Sequence, residues 1–115
     1  MIPRSRTYLE QILVSISRIE SYASGGADVF FESTLLQDGI VHNLELIGAS
    51  VKELPADMLD AFPNIPWSSI ARMRDYLAHH YLNVDLEIVW EVVRQDLPPL
   101  KDAVEDMLRS ISPSE

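Results

Sequence analysis

Apolar residues in this chain recur in steps of three and four, and nowhere do they alternate over a useful length. Leu36, Ile40, Leu44, Ile47, Val51 and Leu54 hold that rhythm for about five turns, which commits the segment to one buried face of a helix. A half-buried strand would need a period of two. Leu9, Ile12, Leu13, Ile16 and Ile19 repeat the pattern. We expect a first helix over residues 5–23, ended by Gly25-Gly26, then a connection over 27–33. A second helix over 34–54 stops at Pro55. Residues 55–66 hold three prolines and read as a connection with room for one helical turn. Trp67 and Ser68 open a third helix carrying Ile70, Met73 and Leu77, ending near Tyr81. Asn83 and Asp85 offer cap chemistry for a fourth, with Leu86, Val89, Trp90 and Val93. Pro98-Pro99 must kink or break it, and Asp96 could cap a continuation carrying Leu100, Val104, Met107, Leu108 and Ile111. The expected fold is all-α: an antiparallel bundle of four to five helices, the last interrupted at Pro98-Pro99, in one domain spanning 1–115.

Composition narrows the chemistry. The chain has no cysteine, which excludes disulfides, thiolate metal sites and cysteine nucleophiles. Arg4 and Arg6 are not followed by the apolar run of a signal peptide, and no stretch approaches the ~18 apolar residues of a membrane span. The expectation is a cytoplasmic protein with no membrane partner. The formal charge of −9 is the wrong sign for a protein that coats nucleic acid. Arg72 and Arg74 nevertheless make a local basic spot, which suits a site that holds one phosphate and equally a solvated surface with no binding role.

The residues that could carry chemistry lie at the end of the third helix: Arg74-Asp75-Tyr76-Leu77-Ala78-His79-His80-Tyr81. An arginine presents a planar, permanently charged fork to phosphate oxygens, and a histidine titrates near neutrality. RNA brings its own nucleophile, the 2′-hydroxyl, so one proton-transfer group and one cation at the phosphorane would suffice. On an ideal helix Arg74 and Tyr81 share a face, whereas His79 stands about 140° from Arg74 and His80 about 120° away on the other side. A long arginine, a distorted helix end or a second copy of the chain could unite them. Asp75 could pair with Arg72 or Arg74, or help to fix the imidazole, while Tyr76 and Leu77 read as core.

Other positions are less telling. His42 and Glu45 lack a third ligand of suitable spacing, so no metal site is expected. Asn43 and Glu45 read as buried or interface polar groups. Ser68-Ser69 has no glycine-framed nucleophile turn, and no glycine-rich loop could cradle a phosphate. No cofactor is expected. Trp67 and Trp90 read as core or interface anchors.

The chain resembles the HepT family of HEPN-domain toxins, partners of MntA-type minimal nucleotidyltransferase antitoxins. The resemblance rests on an Arg, four residues, a His, one residue and a Tyr, here Arg74, His79 and Tyr81, and it selects His79 over His80. Flanking text fits as well: Tyr8-Leu9-Glu10-Gln11-Ile12-Leu13, His42-Asn43-Leu44-Glu45-Leu46-Ile47-Gly48, Phe62-Pro63-Asn64-Ile65-Pro66-Trp67 and Val84-Asp85-Leu86-Glu87-Ile88-Val89-Trp90. It implies an all-α homodimer with Arg74 and His79 as catalytic residues at the dimer cleft. It implies a metal-independent toxin ribonuclease acting on RNA, tRNA among the candidates, and an antitoxin that transfers AMP to Tyr81. One departure stands out: Asp75 occupies a position where asparagine is frequent, with Arg72 nearby to offset it. The other expectation is a non-catalytic HEPN dimer that binds a nucleotide or a nucleotidyltransferase.

Overall fold

The computed structural model describes residues 4–80 and 82–111. The first apolar series folds as α1 (Arg4–Tyr22), with Leu9, Ile12, Ile16 and Ile19 as its buried stripe. The stretch expected to be a connection is instead a short helix, α2 (Ala27–Glu32). Gly26, at φ 90°, turns the chain into it, a conformation open to glycine and strained for other residues. Phe30 is the one buried residue of α2, and its ring stacks on Trp90 at a centroid distance of 4.9 Å. A helix of six residues with one buried side chain offers no period to read, which is why the sequence pattern passed over it.

The long second series folds as α3 (Thr34–Lys52). Ser33 caps it by accepting the Leu36 N–H at 3.2 Å. The single turn expected between the prolines is α4 (Ala56–Asp60). Trp67 is an anchor: its indole N–H donates to the Leu59 and Phe62 carbonyls at 3.0 and 3.1 Å, tying that connection to the start of α5 (Trp67–His79). Asp85 caps α6 (Leu86–Glu91) by accepting the N–H groups of Glu87 and Ile88. The chain closes with α7 (Leu97–Ser110).

The interruption expected at Pro98-Pro99 lies just upstream and takes another form. Residues Val92–Asp96 make a π turn, in which the Leu97 N–H donates to the Val92 carbonyl five residues back. Pro98 and Pro99 then sit in the first turn of α7, where their missing N–H groups do least harm. The helix widens instead of breaking. Asp96 keeps helical backbone angles and makes no side-chain cap hydrogen bond, so the cap expected there is absent: there is no fresh helix start to cap. The wide turn also sets the face of α7. Val89 and Leu97 are both buried although eight residues separate them. Eight regular residues would place them about 80° apart, whereas seven return to within about 20°, so the turn absorbs one residue.

α3 packs against both α1 and α5, and α1 also packs against α7. The first half of α3 faces the chain after α5, with Gln37, Asp38 and His42 opposite Leu82 and Asn83. Its end faces the start of α5, with Val51 and Lys52 opposite Trp67 and Ala71, so the two helices run antiparallel. Among the described residues, no helix is long and apolar enough to cross a membrane.

Candidate functional site

The site is built on the surface of α5 and on its contact with α3. A Cβ placed on Gly48 would stand 2.4 Å from the Arg74 Cβ and 3.2 Å from the Ile70 carbonyl oxygen. Only a residue without a side chain lets the two backbones approach this closely. The aliphatic stem of Arg74 therefore lies on α3, while its guanidinium stays partly exposed and reaches the Asp75 carboxylate at 3.5 Å.

A second cation meets the same carboxylate. Lys52, in the last turn of α3, donates to Asp75 Oδ1 at 2.5 Å. Side chains on a helix lean toward its N-terminus, and for α3 that direction runs toward the C-terminal half of α5. The Lys52 ammonium, hydrogen-bonded to Asp75, and behind it the Arg74 guanidinium hold that carboxyl below the usual carboxylate range. Asp75 does pair with Arg74, as expected, but the group that offsets it is Lys52. Arg72 points elsewhere, its guanidinium donating to Ser69 Oγ at 3.4 Å.

The two histidines are held alike at the backbone and differ at the ring. His79 Nδ1 lies 2.7 Å from the Asp75 main-chain carbonyl, and His80 Nδ1 lies 3.0 Å from that of Tyr76. A carbonyl only accepts, so each Nδ1 carries the proton and each Nε2 is the atom left for chemistry. The imidazole of His79 is thus fixed by the backbone of Asp75, not by its carboxylate. The His80 ring stacks on Tyr76 at 4.8 Å and is engaged in packing. The Tyr76 hydroxyl in turn accepts the Asp85 N–H at 2.9 Å, which fastens the chain after α5 to the helix. Leu77 is fully buried, as expected, and Tyr76 is half-buried. Tyr81 lies outside the described residues.

α5 stays helical through His79, so the rotation between Arg74 and His79 remains about 140°. Among the described residues no hydrogen bond joins the two side chains. One chain therefore supplies an oriented imidazole and an anchored guanidinium from helix positions about 140° apart.

Near this end of α5, a cleft of about 360 Å³ is lined by Asp38, His42 and Glu45 of α3 and by Leu82 and Asn83. Among the described residues, no group of three His, Asp or Glu side chains is placed to hold a metal ion. Asn43 is buried and donates to the Gly39 carbonyl at 2.8 Å, while His42 is exposed. Sequence reasoning assigned no part in the site to Gly48 or Lys52. Gly48 had a signal, a glycine inside a long apolar helix, which marks close packing. Lys52 had none, because its partner is 23 residues away.

Residues 12–107 match the family model described as "Ribonuclease HepT-like". A protein of Methanocaldococcus jannaschii, named as a gamma-glutamylcyclotransferase and a proposed RNase, is 42% identical over 86% of this chain. The match covers only 45% of that longer protein. A protein of Thermococcus cleftensis named as a probable ribonuclease HepT is 37% identical over 89% of this chain and 94% of its own length. A second M. jannaschii protein, named as a proposed RNase, is 33% identical over 92% of this chain and 88% of its own length. No solved structure matches the chain.

Proposed function

We propose a function from one premise: the chain belongs to the HepT-like ribonuclease family. It cuts RNA, with His79 as the proton-transfer group and Arg74 as the cation that stabilises the crowded phosphorane. The observation that carries this reading is the backbone hydrogen bond to Nδ1 of the exposed His79, which leaves Nε2 as the atom available for proton transfer. Neutral Nε2 takes the proton of the 2′-hydroxyl, which attacks the adjacent phosphorus. The bond from phosphorus to the 5′ oxygen breaks, and the imidazolium returns the proton to that leaving oxygen. The products are a 2′,3′-cyclic phosphate and a 5′-hydroxyl. The nucleophile belongs to the substrate, so the step asks nothing of a metal.

The rotation between Arg74 and His79 supports a site completed across a homodimer, each cleft taking the two groups from different chains. The same family membership supports a toxin role, silenced when a nucleotidyltransferase antitoxin transfers AMP to Tyr81. Phosphate there would add negative charge where RNA phosphate must sit. Purified protein in EDTA should cleave RNA and leave cyclic phosphate ends. His79→Ala should lower the rate by about 10²- to 10⁴-fold, the usual worth of a general acid or base. Cleavage by His79→Ala at the wild-type rate would falsify the assignment of His79.

A second reading is favoured by the Arg74–Asp75 pair, which ties the cation to a carboxylate. In that reading the protein is a non-catalytic dimer that binds a nucleotide or the nucleotidyltransferase. Its mark is tight partner binding by a wild-type protein that cuts no RNA.

A further inference from the structure

The cation that faces RNA in this chain stands beside a carboxylate, and a free carboxylate there would oppose a substrate phosphate. Two observations describe how the fold handles that. Lys52 reaches across from α3 and donates to Asp75 Oδ1 at 2.5 Å, whereas the Arg74 guanidinium approaches the same oxygen only at 3.5 Å. The close approach at Gly48 brings the two helices near enough for that reach. The stronger claim on Asp75 is therefore the lysine's. The chain has two lysines, and the other, Lys101, pairs with Glu20 on a different helix pair.

We propose that Lys52 is a positioning residue for the phosphate-binding cation: it occupies Asp75, so that the Arg74 guanidinium is free to leave the carboxylate for an RNA phosphate. The proposal rests on the ribonuclease reading of the site. Lys52 acts through Asp75 and touches no reacting atom. Without it, Arg74 is the one counter-ion left to Asp75 among the described residues, and the carboxylate holds the guanidinium on the helix surface. The unscreened carboxylate then also repels the incoming phosphate. An asparagine at position 75 would make the lysine unnecessary, because there is no charge to occupy. The pair Lys52 and Asp75 thus works as a unit that equals a neutral residue beside the arginine.

The test is a double-mutant cycle on the full chain, read by RNA cleavage with KM and kcat separated. Lys52→Met should raise KM on the order of tenfold, above the usual worth of an exposed pair because it both frees a carboxylate and captures Arg74. Lys52→Arg should restore the wild-type value, and Lys52→Met combined with Asp75→Asn should return KM close to that of Asp75→Asn alone. Two results overturn the idea. One is an unchanged KM in Lys52→Met. The other is an equal penalty whether position 75 carries aspartate or asparagine, which would make Lys52 a direct ligand of RNA. If wild type cleaves no RNA, the ribonuclease reading fails separately. The same cycle is then read by fluorescence anisotropy of a 2′-deoxy oligonucleotide, where Lys52→Met should weaken binding and Asp75→Asn should restore it. Absence of binding by wild type in that assay sinks both.

Discussion

Asp75 and Asp96 are carboxylates whose surroundings push them in opposite directions. Lys52 and Arg74 lower the first. Burial, with Glu91 nearby, raises the second, which lines an apolar cavity with Leu44, Ile47 and Leu100. The signs for stability follow. Asp75 favours the folded state above the ordinary carboxylate range, and that contribution is lost as pH falls through its lowered value. Asp96 does the reverse: the folded chain holds its proton more tightly than the unfolded chain, so stability falls as pH rises through its raised value. Asp96→Asn should therefore raise the melting temperature at pH 7 by a few degrees. The gain should vanish below the ordinary carboxylate range, where Asp96 is protonated in both states. Thermal denaturation at the two pH values checks this, and an Asn variant that is less stable at pH 7 would contradict it. At this scale the sequence offered the candidates Arg74, Asp75 and His79, because they lie within six residues of each other on one helix. It could not show which atoms they use. That the backbone and not the Asp75 carboxylate fixes His79, and that Lys52 occupies that carboxylate, follow from helix geometry and from packing between segments distant in the chain.

Among the elements, the contact between α3 and α5 does most to shape the site. Gly48→Ala should push Arg74 off α3, since two Cβ atoms cannot stand 2.4 Å apart. The expected loss is about 1–3 kcal/mol, typical of overpacking, measured by urea denaturation. RNA cleavage should fall with it, whereas an Ala variant as stable as wild type would show that the helices can part without strain. Long helices with a sustained period were legible: α1, α3 and α5 begin and end within two residues of the expected bounds. Short or irregular elements were not. α2 is anchored by one ring against Trp90, and the π turn answers to prolines that sit after it. Both depend on tertiary contacts or on backbone groups several residues away, which a local pattern of apolar residues does not record.

At the scale of the molecule, one acidic chain carries its imidazole and its guanidinium at positions of α5 about 140° apart, and in the proposed homodimer a second copy would let each complete the other's site. That arrangement predicts complementation. Arg74→Ala and His79→Ala, each inactive alone, should regain cleavage when mixed and allowed to exchange subunits. A mixed pair keeps one intact combination and one doubly damaged one, so activity should approach half that of wild type per pair. Mixtures as inactive as their components would show that both groups act within a single chain. Charge and the missing cysteine limited the classes of function, whereas a site shared between two copies would leave no local pattern in the sequence of one. The π turn at Val92–Asp96 has a consequence for chain length as well. It already houses one residue beyond a regular helix, so a homologue one residue shorter at this point could keep Val89 and Leu97 on the same face by running straight through. Deletions elsewhere in the long helices would rotate everything downstream by about 100°. Natural length variation in this family should therefore collect in the stretch matching Val92–Asp96, with the apolar stripes on either side left in phase.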